Sequence, residues 1–177
     1  MRRWRKVVAG AVAVVGVLAG CTGGETPTPD VVSTPASGAQ VLTAGDGSGI
    51  VEFTARGTNG YTGDVRVAVQ SLTVEGATME LRVALTPLDG DPEDGVSIYR
   101  MVDTMPVLSD VEHLKQYRTL GLPSSAWETD TVASETAVGE PVLYQVWFAA
   151  PEDDVATLDL VISPEWPTVL DVPVTWS

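Results

Sequence analysis

Thr78-Met79-Glu80-Leu81-Arg82-Val83-Ala84-Leu85-Thr86-Pro87 is the stretch whose reading decides the fold. Met79, Leu81, Val83 and Leu85 share one parity, and Glu80, Arg82, Ala84 and Thr86 share the other. Side chains alternate across a strand, so this period of two predicts a half-buried antiparallel strand rather than a helix. Upstream, Val65, Val67, Val69 and Ser71 alternate with Arg66, Ala68, Gln70 and Leu72. Val74-Glu75-Gly76-Ala77 lies between the two runs and reads as a hairpin turn, which makes them neighbours at the centre of one sheet.

A second hairpin is predicted downstream. Tyr144, Val146 and Phe148 share a face within Val142 to Ala149, with Gln145 and Trp147 opposite. Pro151-Glu152-Asp153-Asp154 makes a turn, and Val155 to Ile162 follows as a strand with Leu158, Leu160 and Ile162 inward. Weaker strand signals lie at Gln40 to Ala44, Ile50 to Thr54, Val96 to Val102, Gln116 to Leu120 and Val172 to Trp176. A short helical turn is suggested around Ser109, with Asp110 to Leu114 behind it. Many short strands with few helix-length intervals predict an all-β domain, specifically a two-layer immunoglobulin-like β-sandwich in which two apolar faces cover each other. The immunoglobulin-type cysteine pair is absent from the 177 residues, so the label describes architecture only.

The N-terminus has a different composition. Arg2, Arg3, Arg5 and Lys6 precede an uncharged run from Val7 to Val17, then Leu18-Ala19-Gly20-Cys21. Basic residues, a short apolar core and small residues are the build of a secretory signal. The core is shorter than the roughly 20 residues that a comfortable membrane-spanning helix needs. Leu18-Ala19-Gly20-Cys21 resembles the lipoprotein signal motif of bacteria. That resemblance implies cleavage after Gly20 and a lipid on the Cys21 thiol, leaving the protein on the extracytoplasmic face of the cell membrane. Residues 1–20 are thus expected to be signal, 21–38 a lipidated Thr/Pro-rich tether, and 39–177 the folded domain. The Ser and Thr residues among Pro27, Pro29 and Pro35 are candidate acceptors for O-linked sugars. Cys21 is the only cysteine, so no disulfide can form within the chain.

The chain has 24 acidic and 10 basic side chains, and loss of the first 20 residues leaves six basic against 24 acidic, a net of −18. Such a charge disfavours nucleic acid and bare anionic lipid as partners, although salt screens it beyond a few residues. No glycine-rich phosphate loop follows a strand, and Gly45-Asp46-Gly47-Ser48-Gly49 reads as a turn.

Candidate sites are few. His113 is the only histidine, which argues against a zinc centre, and it reads as a loop or surface residue. A serine triad would require it to meet a carboxylate and Ser109 or Ser124. Asp89, Asp91, Glu93 and Asp94 alternate with Gly90, Pro92 and Gly95. Their spacing departs from the helix-pair calcium loop, so the stretch reads as a hydrated turn, with weak cation binding as the alternative. Glu152-Asp153-Asp154 reads the same way. No catalytic residue, cofactor or metal ligand is therefore assigned. Core or loop packing is the leading reading of the tryptophans. Trp127, Trp147 and Trp166 are the candidates for a binding surface.

The lipoprotein signal, the Thr/Pro tether and the strand order together resemble actinobacterial surface lipoproteins with a telokin-like or immunoglobulin-like domain of unknown function. The resemblance is carried by the hairpin at Glu75-Gly76, the polar loop Asp89 to Gly95, the stretch Leu108 to Tyr117, the strand pair from Val142 to Ile162, and Asp171 to Trp176. It implies a membrane-anchored noncovalent interaction module whose partner is an envelope protein or cell-wall component. A small-ligand or carbohydrate-binding module is the second expectation, with an enzyme behind both.

Overall fold

The computed structural model describes residues 49–122 and 125–177, which belong to one compact unit of the chain. The expected signal, Cys21, the tether and the strand at Gln40 to Ala44 lie outside the described residues, as does most of the Gly45 to Gly49 turn. The elements run β1 (Val51–Arg56), β2 (Asp64–Glu75), β3 (Thr78–Pro87), β4 (Val96–Ser97), α1 (Ile98–Met101), β5 (Val107–Asp110) and β6 (Lys115–Arg118). They continue with β7 (Gly121–Leu122), β8 (Ser125–Ala126), β9 (Glu135–Thr136), β10 (Val142–Ala149), β11 (Thr157–Val161), β12 (Val169–Pro173) and β13 (Thr175–Trp176). The fold is all-β apart from the single turn of α1, and no described helix is long and apolar enough to cross a membrane.

The larger sheet has the order β1-β2-β3-β10, with every neighbour antiparallel. β13 adds a parallel pairing, Thr175 with Thr73 and Trp176 with Val74. The second sheet has the order β12-β11-β5-β6, also antiparallel. Short pairs β4–β9 and β7–β8 complete the set. One buried cluster joins the two larger sheets: Met79, Leu81, Val83, Leu85, Tyr144, Val146 and Phe148 contribute from the first, and Leu108, Leu158, Leu160, Val169 and Val172 from the second. The parities expected for β3, β10 and β11 are the ones observed.

The parity expected for β2 holds only for its first half. Val65, Val67 and Val69 face the core, but Leu72 and Val74 join them there, while Ser71 does not. The cause is a β-bulge. Val69 pairs with Val83 and Ser71 with Arg82, so Gln70 is an extra residue that reverses the alternation. Two-residue turn Gly76-Ala77 then closes the β2–β3 hairpin, with Gly76 at φ 58°, a conformation that glycine adopts without a Cβ penalty.

Three other expectations change. The strands expected to pair as a second hairpin lie in different sheets, β10 beside β3 in the larger and β11 between β12 and β5 in the smaller, so the Pro151 to Asp154 turn carries the chain across from one sheet to the other. The strand expected over Val96 to Val102 stops after Ser97, and Ile98 and Met101 are both fully buried one helical turn apart. Their three-residue spacing puts both on one face only if the chain coils. Ser97 caps that turn, its Oγ accepting from the Arg100 amide at 3.4 Å. The helical turn expected after Ser109 is instead the loop of the β5–β6 hairpin, with Asp110 paired to Lys115 across it. Lys115 Nζ donates to Asp153 at 2.7 Å and Glu152 at 3.2 Å, tying β6 to the connection between β10 and β11.

Candidate functional site

The outer edge of β10 is where two of the candidate tryptophans meet. A free edge leaves unpaired backbone groups, and the segment from Thr119 to Thr129 occupies it. Leu120 N donates to Trp147 O at 2.8 Å, Trp147 N to Trp127 O at 3.0 Å, and Thr129 N to Gln145 O at 2.8 Å. Two isolated bridges, Thr119 with Phe148 and Glu128 with Val146, fix the register. Gly121, at φ 97°, permits the β7–β8 hairpin within this segment, because a Cβ there would collide with the Ser125 carbonyl.

Trp147 points away from the core, since its neighbours Val146 and Phe148 point inward. Trp127, held beside it by the edge hydrogen bonds, is 56% exposed. The two indoles line a cleft of about 470 Å³ together with Thr78, Ala126 and Glu128. Glu128 is anchored by Tyr144, whose hydroxyl donates to Oε2 at 2.6 Å. Burial, and then the charge and hydrogen bond of Glu128, push the Tyr144 phenol well above its usual range, so it remains a proton donor to the carboxylate. Glu80, opposite Trp147 on β3, accepts from Gln145 Nε2 at 2.5 Å and Arg82 Nη1 at 3.4 Å.

Ala126 and Glu128 also line an adjoining groove of about 560 Å³. Met105, Pro106, Val107, Leu122 and Val161 give this groove an apolar wall, with Arg118 at its rim. Met105 and Leu122 are largely exposed, as Trp127 is in the tryptophan cleft, so the strand edge carries accessible apolar side chains in both cavities.

Trp166 belongs elsewhere, and the structure removes it from the binding-surface candidates. Only 6% of it is exposed. Its indole nitrogen donates to Arg56 O at 2.8 Å, and its ring packs edge-to-face on Phe53 with centroids 6.2 Å apart. Sequence reasoning put Trp166 in a turn but could not see that the turn folds back on β1.

The acidic loop after β3 uses its carboxylates on itself. Asp89 Oδ2 accepts from Asp64 N at 2.7 Å, and Asp91 Oδ1 from Glu93 N at 3.0 Å. Tyr61 bonds the Asp89 backbone, donating to its carbonyl at 2.5 Å and accepting from its amide at 2.8 Å. Among the described residues no three His, Cys, Asp or Glu side chains converge as a metal site would require.

His113 sits in the β5–β6 loop with Nδ1 2.7 Å from Asp110 Oδ2, and its amide donates to Asp110 Oδ1 at 3.0 Å. Ser109 alternates onto the opposite face of β5 from the buried Asp110, and Ser124 lies outside the described residues. Burial raises the Asp110 carboxyl, but the two His113 hydrogen bonds and the ring's charge outweigh it and hold the group below its ordinary value of 3.8. A carboxyl lowered in the folded state stabilises the fold above its unfolded pKa and ceases to do so as pH falls through the folded one. The urea midpoint of the wild type should therefore fall steeply below about pH 4. Asp110→Asn should fall less between pH 5 and pH 2.5, and equal slopes for both proteins would reject this role for Asp110.

No family model, no curated protein and no solved structure matches this chain.

Proposed function

We propose that the chain is an extracytoplasmic lipoprotein, held at the membrane by a lipid on Cys21, whose β-domain is a noncovalent recognition module of the cell envelope. The observation that carries the recognition role is the accessible apolar surface at the covered edge of β10, Trp127 and Trp147 lining one cavity and Met105 and Leu122 the next. Large apolar side chains clustered and exposed in this way mark surfaces that meet a partner or ligand. The all-β core and its single cluster spanning two sheets support the reading of the domain as a two-layer immunoglobulin-like sandwich. Basic residues, apolar core and Leu18-Ala19-Gly20-Cys21 support the anchor. Residues 21–38 would act as the tether that sets reach from the bilayer.

A small-ligand-binding module is the second reading, favoured by the size of the tryptophan cleft, which falls within the usual range of ligand pockets. Cys21→Ala tests the anchor directly. The wild type is expected in the membrane fraction with a mass increment for the lipid, and the variant is expected to lose both. Equal fractionation with no mass increment would end the lipoprotein reading. Affinity capture from native envelope then tests recognition: a protein or wall component retained by wild type and lost in Trp127→Ala supports the interaction module, and retention unaffected by that change moves the contact elsewhere.

A further inference from the structure

The larger sheet is buried on both faces along one lane. Ala68 of β2, Ala84 of β3 and Leu143 of β10 are in register, on the face opposite the core residues Val69, Leu85 and Tyr144. The second sheet packs on the core side, yet these three are at most 2% exposed and form a buried cluster separate from the main one. No other described apolar residue belongs to that cluster. Thr86, next on the same face of β3, is 1% exposed, and its hydroxyl has no hydrogen-bond partner. The Nε of Arg66, its register neighbour on β2, is buried without one as well. Buried donors without acceptors call for a cover that brings carbonyl oxygens as well as apolar groups.

The start of β1 points to the source of that cover. Gly49 donates its amide to Glu52 Oε1 at 2.9 Å, and Glu52 is the register neighbour of Ala68. A Cβ on Gly49 would stand 3.0 Å from the Ala68 Cβ and 2.6 Å from Val69 O, so the Gly49 backbone lies on the outer face at one end of the lane. The chain therefore enters β1 from this side of the sheet. Upstream, residues 45–48 read Gly-Asp-Gly-Ser, and the nearest stretch with large apolar side chains is Gln40-Val41-Leu42-Thr43-Ala44, outside the described residues. Neighbouring strands lie about 4.8 Å apart, which puts Leu143 about 10 Å from Ala68, and the five residues from Ala44 to Gly49 span up to about 17 Å. We infer that Gln40 to Ala44 docks on the outer face of the larger sheet, covering Ala68, Ala84 and Leu143 with its apolar side chains and offering its carbonyls to Thr86 and Arg66. So short a connection gives the segment a high effective concentration at the lane, which favours it over a second copy or another protein. Docking there fixes the side of the domain from which the tether leads away.

The test uses the full chain in a polyoxyethylene detergent, with methyl groups isotope-labelled for NMR. Nuclear Overhauser contacts are expected between the methyls of Val41, Leu42 or Ala44 and those of Ala68, Ala84 or Leu143. A dissolved paramagnetic chelate should leave the Leu143 methyls of the wild type sharp. Val41→Asp combined with Leu42→Asp should remove the contacts, let the chelate broaden the Leu143 methyls and shift the urea midpoint downward. Val31→Asp combined with Val32→Asp, in the tether, should change none of these. Absence of the contacts in the wild type overturns the inference whether or not the variant folds, as do Leu143 methyls that stay sharp in the folded Val41→Asp, Leu42→Asp protein. Contacts found only between differently labelled copies in a mixed sample would assign the cover to a second chain and overturn it too.

Discussion

Trp166→Ala is expected to lower the unfolding free energy by about 3–5 kcal/mol, whereas Trp127→Ala should stay within about 0.5 kcal/mol of wild type. Trp166 lies between β11 and β12 of the smaller sheet, yet its partners Phe53 and Arg56 belong to β1 of the larger one. Removing the indole opens a cavity between the two and leaves the Arg56 carbonyl without its donor. Urea unfolding at 25 °C measures both variants. Trp166→Phe separates the contributions, because it retains an aromatic ring and loses the hydrogen bond, for an expected cost of about 1–2 kcal/mol beyond the volume lost. A Trp166→Ala cost below about 1 kcal/mol would show that this side chain does not join the sheets as described.

Deletion of Gln70 should be as damaging, for a different reason. The extra residue between Val69 and Ser71 lets Val65, Val67 and Val69 face the core on one parity and Leu72 and Val74 on the other. Without it, regular pairing would force either the first three or the last two outward. Exposing Leu72 and Val74 alone forfeits about 1.5–3 kcal/mol for each side chain. The total approaches the 5–15 kcal/mol by which ordinary domains are stable, so the deletion should abolish cooperative unfolding or shift the urea midpoint severely. Gln70→Ala, which keeps the residue count, should cost far less. Similar midpoints for deletion and wild type would mean that β2 tolerates either register.

The same bulge shows where sequence reasoning reached and where it stopped. Along β3 the long apolar residues keep one parity from end to end, so Met79 to Leu85 could be assigned to the core without knowing their partners, whereas β10 carries apolar groups on both faces and its core face followed only from packing. In β2 the parity changes from odd to even between Val69 and Leu72. That change was visible in the sequence, but a continuous alternation with Ser71 inward was the simpler pattern. At α1, Ile98 and Met101 carried a helical spacing within a run short enough to pass for a strand.

The candidate site was legible only in part. Alternation put Trp147 opposite Tyr144, Val146 and Phe148, since each residue's side is set by its immediate neighbours, but which of the two faces was the core was decided only by the packing. Trp127 reaches Trp147 through backbone hydrogen bonds between segments about twenty residues apart, and no local pattern encodes that meeting. The same edge pairing sets Glu128 beside Val146 on the core-side face, where the Tyr144 hydroxyl binds its carboxylate. Trp166 looked equivalent to these two in composition and proved to be a core residue.

By itself the sequence determined the all-β class, the β2–β3 hairpin, the inward faces of β3 and β11, and the acidic charge of the domain. These follow from alternation, turn chemistry and composition, which act over a few residues or over the whole chain at once. Tertiary structure alone decided that β13 runs parallel beside β2, that Trp166 is buried against β1, and that Trp127 and Trp147 share one cleft. Each of those depends on which distant backbone groups satisfy one another's hydrogen bonds, a choice made by the packed core as a whole rather than by any stretch of chain within it.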